Sequence, residues 1–196
     1  MSKPPILLAT QNLHKINEIK QICNNIEFTV PKEVLEIPET GQTYVENALI
    51  KVQAWSRYYP QSYILSDDSG LEVKALNNAP GVISADWAGI NAPQGALITK
   101  LLTKMENIFD RTAKFVCYAL LLAPNGNIFI SRGECFGRIA YDCQGTHNFG
   151  FDPVFLPQEY EYKKSFAELT IQEKNSISHR SKALAGINDF WDIFYG

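Results

Sequence analysis

An α/β architecture on a mixed β-sheet follows from three features of the 196-residue chain. Apolar runs of strand length alternate with longer runs of helical spacing, an Asn-Gly turn joins two of the strand-like runs, and no repeat, low-complexity tract or Gly/Ser linker separates them. A single domain over residues 1–196 is the expectation.

Ile6-Leu7-Leu8-Ala9 reads as a short buried strand, after which Leu13, Ile16, Ile19, Ile22 and Cys23 recur at helical spacing to about residue 23. A second helix is expected from Tyr44 to about Tyr58. Val45, Ala48, Leu49, Val52 and Trp55 form its inward stripe, and Thr43-x-x-Glu46 has the pattern of a capping box. Ser62 to Ser66 reads as a strand that Asp67-Asp68-Ser69-Gly70 breaks and Leu71-Glu72-Val73 resumes, which implies a bent or hairpin-like connection. Leu97, Ile98, Leu101, Leu102, Met105 and Ile108 mark a third amphipathic helix. Ala113 to Ala123 and Ile128 to Arg138 then form a hairpin around Pro124-Asn125-Gly126-Asn127. Residues 144 to 153 are a Gly/aromatic loop, and a last helix from about His179 turns Ala183, Ile187, Phe190, Trp191 and Phe194 to one side.

Composition removes several classes of function. With 45% hydrophobic and 20% charged residues the chain falls in the globular range and can bury roughly 70% of its unfolded surface, so disorder and disulfide-dependent miniproteins are excluded. Eighteen Lys and Arg against 21 Asp and Glu give a net charge of −3, and Lys163-Lys164 is the sole adjacent basic pair, so no nucleic-acid partner is expected. The apolar run Ala119 to Ala123 falls far short of the roughly 20 residues of a membrane span, and neither a signal-peptide core nor a lipidation motif is visible. No membrane partner and a cytoplasmic location are therefore expected. Cys23, Cys117, Cys135 and Cys143 show neither C-x-x-C spacing nor a nearby His run, and read as reduced thiols that mostly fill the core.

Four constellations carry chemistry. In Thr10-Gln11-Asn12-Leu13-His14-Lys15 the strand turns into the helix, with Asn12 near the N-cap and Lys15 near N3. A cation there opposes the helix dipole, and a bound phosphate would resolve the conflict; the plainer alternative is a capped helix with a solvated lysine. The missing glycines rule out a P-loop. Asp67-Asp68 places two carboxylates on opposite sides of a strand end, so that one of them, near a second acid such as Glu39 or Glu46, supplies oxygen ligands for magnesium and orients a water. Glu46 is already accounted for by the capping box, whereas Glu39 in Ile37-Pro38-Glu39-Thr40-Gly41 lies outside any helix signal. An ordinary Asp-Ser-Gly turn is the alternative for the pair.

Phe149-Gly150-Phe151-Asp152-Pro153 alternates rings with a glycine, which suits stacking on a flat base or, equally, packing of both rings in the core. Lys174 to Arg180 concentrates donors ahead of the last helix, and a 6-keto purine accepts where adenine's amino group would leave Arg180 unpaired, at a cost of about 1–3 kcal/mol. The bland alternative has Ser178 as a cap and His179 and Arg180 in solvent.

Taken in order, Leu8-Ala9-Thr10-x-Asn12-x-x-Lys15-x-x-Glu18, Ser66 through Leu76, Ala79-Pro80-Gly81-Val82-x-Ser84-Ala85, Phe149 through Pro153 and Ile177-Ser178-His179-Arg180 closely resemble the inosine/xanthosine triphosphate pyrophosphatase family. The likeness spans residues 6 to 186. It implies an elongated mixed sheet flanked by helices, with two lobes and a central active-site cleft, assembled as a homodimer. It further implies hydrolysis of non-canonical purine triphosphates (ITP, dITP, XTP) to monophosphate and pyrophosphate with Mg²⁺ as cofactor, which cleanses the nucleotide pool. By the same resemblance Thr10, Gln11, Asn12, Leu13, His14 and Lys15 bind the triphosphate, Asp68 is the metal-binding proton acceptor and Glu39 the other metal ligand. Ser69, Phe149, Gly150, Phe151, Asp152, Lys174, His179 and Arg180 contact base or phosphate, and Lys51 matches a family lysine by helix register alone. Asp86-Trp87 stands where relatives often have Arg-Tyr, and Gln11 replaces a frequent glycine. Trp87 and Tyr58-Tyr59 are candidate dimer contacts. A pyrophosphatase for other modified nucleotides, or a nucleotide-sensing module without turnover, are the rival readings.

Overall fold

The computed structural model describes residues 3–90, 92–93, 95–146 and 149–195; residues 147 and 148 of the expected Gly/aromatic loop lie outside these. The elements in chain order are β1 (Ile6–Leu8), α1 (Leu13–Ile22), β2 (Phe28–Thr29), α2 (Tyr44–Ser56), β3 (Tyr63–Val73), β4 (Ala79–Pro80), α3 (Ala96–Lys104), β5 (Thr112–Leu122), β6 (Ile128–Ile139), β7 (Phe155–Pro157), α4 (Ile171–Ile177) and α5 (His179–Tyr195). Among the described residues the strands form one sheet in the order β2-β1-β3-β5-β6-β7, with β4 attached to β3. The sheet is mixed, as the sequence predicts: β1 runs parallel to β2 and β3, whereas β4 pairs antiparallel with β3 and β7 with β6.

The chain divides into two compact units. The first comprises the chain up to Asp68, Cys117–Gly133 and everything from His179 onward; the second comprises Ser69–Val116 and Glu134–Ser178. In the first unit strand alternation sends Ile6, Leu8, Leu65, Cys117, Ala119 and Leu121 against Ile16 and Ile19 of α1 and Ala183, Leu184, Ile187 and Trp191 of α5. Leu7, Ala9, Ile64 and Leu120 pack with Ala48, Val52 and Trp55 of α2. A strand covered on both faces reads as an unbroken apolar run, which is why Ile6 to Ala9 shows no polar alternation. The second unit has its own core, in which Leu71, Val73, Phe115, Cys135, Phe155 and Phe166 meet Leu101 and Met105. Phe115 and Phe155 lie 4.6 Å apart and Phe155 and Phe166 4.9 Å apart, in the tilted arrangements that aromatic quadrupoles favour.

Several boundaries differ from the sequence expectation. Asp67-Asp68-Ser69-Gly70 does not break the strand: β3 continues from Tyr63 to Val73 because, as shown below, both carboxylates find cationic partners. Helix α3 stops at Lys104, where the Met105 amide closes on Leu101, and Ile108 packs from the following loop. Phe194 is exposed, and Trp87, expected as a surface contact, is buried in the second core. The Asn-Gly hairpin turn forms as read, with the Ala123 amide donating to the Asn127 carbonyl at 2.8 Å and Gly126 taking a φ of 87°. The expected capping box at Thr43/Glu46 is present, and another forms at Thr170/Glu173. Three of the four cysteines are buried and Cys143 is exposed. Among the described residues no helix is long and apolar enough to cross a membrane.

Gly133 marks a close approach of β6 to α5. A Cβ there would lie 2.1 Å from the His179 carbonyl oxygen and 2.4 Å from the Ala183 amide, both backbone atoms that cannot rotate away. Gly133→Ala is therefore expected to displace the first turn of α5 and to destabilise the protein by about 1–3 kcal/mol, the usual range for overpacking. Urea unfolding checks this, and an unchanged midpoint contradicts it.

Candidate active site

The site grows from the side-chain alternation of β3. Asp67 and Asp68 are successive residues of a strand, so their carboxylates leave on opposite sides and meet different partners. On the Asp67 side, Oδ2 lies 3.2 Å from Lys15 Nζ and 3.1 Å from Arg180 Nε, and the Cys117 thiol lies 4.0 Å away. The Arg180 guanidinium also pairs with Glu18. This chain of charges links α1, β3 and α5; Asp67 and Arg180 are buried, and Lys15 and Glu18 are partly buried. Burial alone would raise the Asp67 carboxyl, yet Lys15, Arg180 and Lys51 hold it well below the usual carboxylate range. Asp67 Oδ1 is buried without a hydrogen-bond partner among the described residues. Burial and the neighbouring Asp67 push the Cys117 thiol up to about 12, so it is not a nucleophile at neutral pH.

The turn before α1 is built by its own side chains. Thr10 Oγ1 accepts from the Asn12 amide at 3.2 Å, and Asn12 Oδ1 accepts from the amides of His14 and Lys15 at 3.0 and 3.3 Å. The sequence reading leaves these amides and the Lys15 ammonium to a bound phosphate. In the structure Asn12 caps two of the amides, and Asp67 brings a negative charge to within 3.2 Å of a lysine in a first turn. Gln11 is exposed and donates to the Glu33 carbonyl at 2.8 Å, while Leu13 and His14 are exposed.

On the Asp68 side, Lys51 Nζ lies 3.5 Å from Asp68 Oδ1 and 3.2 Å from Glu39 Oε1, and donates to the Asp67 carbonyl at 2.6 Å. Asn47 Nδ2 donates to Asp68 Oδ2 at 3.2 Å. Asn47 and Lys51 sit four residues apart on α2, hence on one helical face, and Ser66 Oγ locks that helix to β3 through the Ala48 carbonyl at 2.7 Å. Burial pushes the Asp68 carboxyl up to about 6; the Lys51 ammonium opposes that rise and the Glu39 carboxylate adds to it. Glu46, as anticipated, serves the cap: its carboxylate accepts from the Gln42 and Thr43 amides at 2.6 and 3.0 Å.

The second unit holds a smaller constellation. Lys174 Nζ lies 2.6 Å from Asp152 Oδ2, and the same ammonium stands 5.7 Å from the Phe149 ring and 5.6 Å from that of Phe166. Phe151 does not display its ring: it is 3% exposed and packs near Trp87, so the core alternative holds for this half of the Phe-Gly-Phe run. Gly150 has a φ of 54° with open space where a Cβ would sit, and Ser69 is half-buried on β3. His179 and Arg180 are 5% and 2% exposed, which removes the solvated alternative for both. The Arg180 guanidinium donates to Asp67 Oδ2 at 3.1 Å and also to Glu18.

The Ham1 family profile matches residues 6–190. The chain belongs to the Ham1 family. A dITP/XTP pyrophosphatase of Staphylococcus epidermidis is 39% identical over 188 residues, covering 94% of this chain and 95% of its own length. The dITP/XTP pyrophosphatase of Aquifex aeolicus is 41% identical over 190 residues, at 91% and 92% coverage. Among solved structures, the Staphylococcus aureus Ham1 protein superposes with a TM-score of 0.85 at 36% identity, covering 96% of this chain and 98% of that one.

Within this Ham1 chain the sequence points to Thr10, Asn12, Lys15, Glu39 and Asp68, and all of them lie in the first unit. It undervalues Asp67, Glu18, Asn47 and Cys117, and places Lys51 by register alone. A signal for two of these exists: Asn47 and Lys51 are polar residues set on the face of α2 that also carries Ala48, Val52 and Trp55, a position that polar groups occupy only with partners.

The raised Asp68 carboxyl has a sign that stability reads. Its folded value of about 6 exceeds the ordinary 3.8, so folding is opposed by its ionisation above pH 6, and this opposition fades as pH falls towards 4. Asp68→Asn is expected to raise stability at pH 8 by about 1–3 kcal/mol, with the gain vanishing near pH 4. Thermal unfolding of both proteins across that range checks it, and a variant less stable than the parent at pH 8 contradicts it.

Proposed function

We propose that this chain hydrolyses the triphosphates of non-canonical purines, ITP, dITP and XTP, to the monophosphate and pyrophosphate. The observation that carries the reading is the divided aspartate pair. One carboxylate is neutralised by Lys15 and Arg180 and holds the structure, and the other is raised towards neutrality beside Lys51 and an exposed second acid. A carboxyl near 6 is suited to accept a proton at physiological pH, and two lysines suit the charge of a polyphosphate. The names borne by its relatives agree with this chemistry.

The residues fit a divalent ion of the magnesium kind. Glu39 and Asp68 already converge on one cation, the Lys51 ammonium, at 3.2 and 3.5 Å. Among the described residues no group of three or more His, Cys, Asp or Glu forms a closed cage. Magnesium is commonly held by one or two carboxylates, with waters and substrate phosphates completing its shell. Bound at Glu39 and Asp68, Mg²⁺ supplies charge neutralisation to the phosphate oxygens. Lys15, held at the first turn of α1, and Lys51 add positive charge for the triphosphate; Asp68 orients the attacking water and accepts its proton; pyrophosphate leaves from the α-phosphorus. Contacts to base or phosphate fall to Ser69, Phe149, Gly150, Asp152, Lys174, His179 and Arg180, as the resemblance names them, with the Phe151 ring supporting from the interior. A cytoplasmic homodimer belongs to the same reading.

Turnover of dITP in ¹⁸O-water tests it. The expected result is label in the monophosphate and none in pyrophosphate, faster turnover of dITP and XTP than of ATP, and a kcat at least about a hundredfold lower for Asp68→Asn. Label in released phosphate or pyrophosphate, or equal use of ATP, overturns the assignment.

A further inference from the structure

We infer that Asn47 is a positioning residue that ties the loop carrying Glu39 to the carboxylate of Asp68 and so fixes the spacing of the two acids. The inference rests on the reading of those acids as the divalent-ion ligands. Asn47 is 2% exposed, and its amide is used at both ends. Nδ2 donates to Asp68 Oδ2 at 3.2 Å, and Oδ1 accepts from the Gly41 amide, two residues beyond Glu39, at 2.8 Å. The two ends fix the orientation of the amide: Gly41 offers a proton and Asp68 accepts one, so only this flip satisfies both.

With Oδ2 engaged by Asn47, Asp68 turns Oδ1 towards Lys51, whose ammonium also holds Glu39. Glu39 itself has a half-exposed side chain on a loop without regular structure. Left to itself such a carboxylate samples many rotamers, and the entropy of ordering it opposes ion binding. The Gly41–Asn47 bond shortens the free span of that loop to the single residue, Thr40, between Glu39 and the anchor. Gly41 fits the role because a Cβ at that position would sit 2.7 Å from Asn47 Oδ1 and 2.7 Å from Glu46 Cβ, which would prise the loop off the helix. Asn47 thus acts through Glu39 and Asp68 and needs no contact with the nucleotide.

Mn²⁺ is the probe, titrated into the full chain without nucleotide and followed by electron paramagnetic resonance of the free ion. The parent is expected to bind, Asn47→Ala to bind on the order of tenfold more weakly, and Gly41→Ala to weaken binding in the same direction, as supporting partners of metal ligands do. In turnover, Asn47→Ala should lose kcat at low Mn²⁺ and recover most of it at high Mn²⁺, with KM for dITP little changed; a general loss of packing is not rescued by metal. Gly41 lies on a surface loop, so its variant decides the matter if Asn47→Ala does not fold. Parent-like Mn²⁺ affinity in either folded variant overturns the role of Asn47 while leaving the metal reading intact. A parent that binds no Mn²⁺, or a Glu39→Gln variant that binds it unchanged, overturns both.

Discussion

A buried carboxylate with two cationic partners organises the first unit. Asp67 sits in the middle of a strand where water cannot reach it, a placement that destabilises any isolated charge by several kcal/mol. Lys15 from α1 and Arg180 from α5 offset that cost, and Glu18 returns the second charge of the arginine. The arrangement stands only if all three elements are in register, so a polar network inside an apolar shell specifies how α1, β3 and α5 meet. The apolar contacts around it, from Ile6 and Leu8 to Ala183 and Trp191, would tolerate small slips; the ion pairs do not.

The neighbouring position inherits the opposite condition. Because strand residues alternate, the cations gathered around Asp67 cannot equally serve Asp68, which keeps Lys51 and Asn47 and faces a second negative charge at Glu39. The result is an ionised group that the fold holds at a cost. Such groups persist where chemistry uses them, and stability is lower for their presence. Two adjacent residues of one type therefore divide structural and chemical work by the geometry of the backbone alone.

This division explains what the sequence discloses and what it hides. The helices that carry an apolar stripe, α2 with its capping box and α5, are legible because period and cap act within a dozen residues. The Asn-Gly hairpin is legible for the same reason. Asp67-Asp68-Ser69-Gly70 reads as a break because turn propensity is local, whereas the partners that keep it in a strand, Lys15, Lys51 and Arg180, arrive from far along the chain. The partner of Arg180 is hidden for a related reason: a cation in a first helical turn is a visible anomaly, but the acid it pairs with lies more than a hundred residues earlier. Asn47 and Lys51 are nearly legible, since a polar pair on an apolar helix face demands partners without naming them. Chemistry confined to one turn of chain can be read directly, and chemistry assembled by tertiary contact is read only through the ordered set of motifs that resembles the Ham1 enzymes.

The division of labour between the two aspartates is tested most directly by following their carboxyl ¹³C shifts through a pH titration of the folded chain. The account requires Asp68 to titrate with a midpoint of about 6 and Asp67 to stay ionised throughout the range in which the fold persists. Midpoints for both near the ordinary value of 3.8 would contradict it.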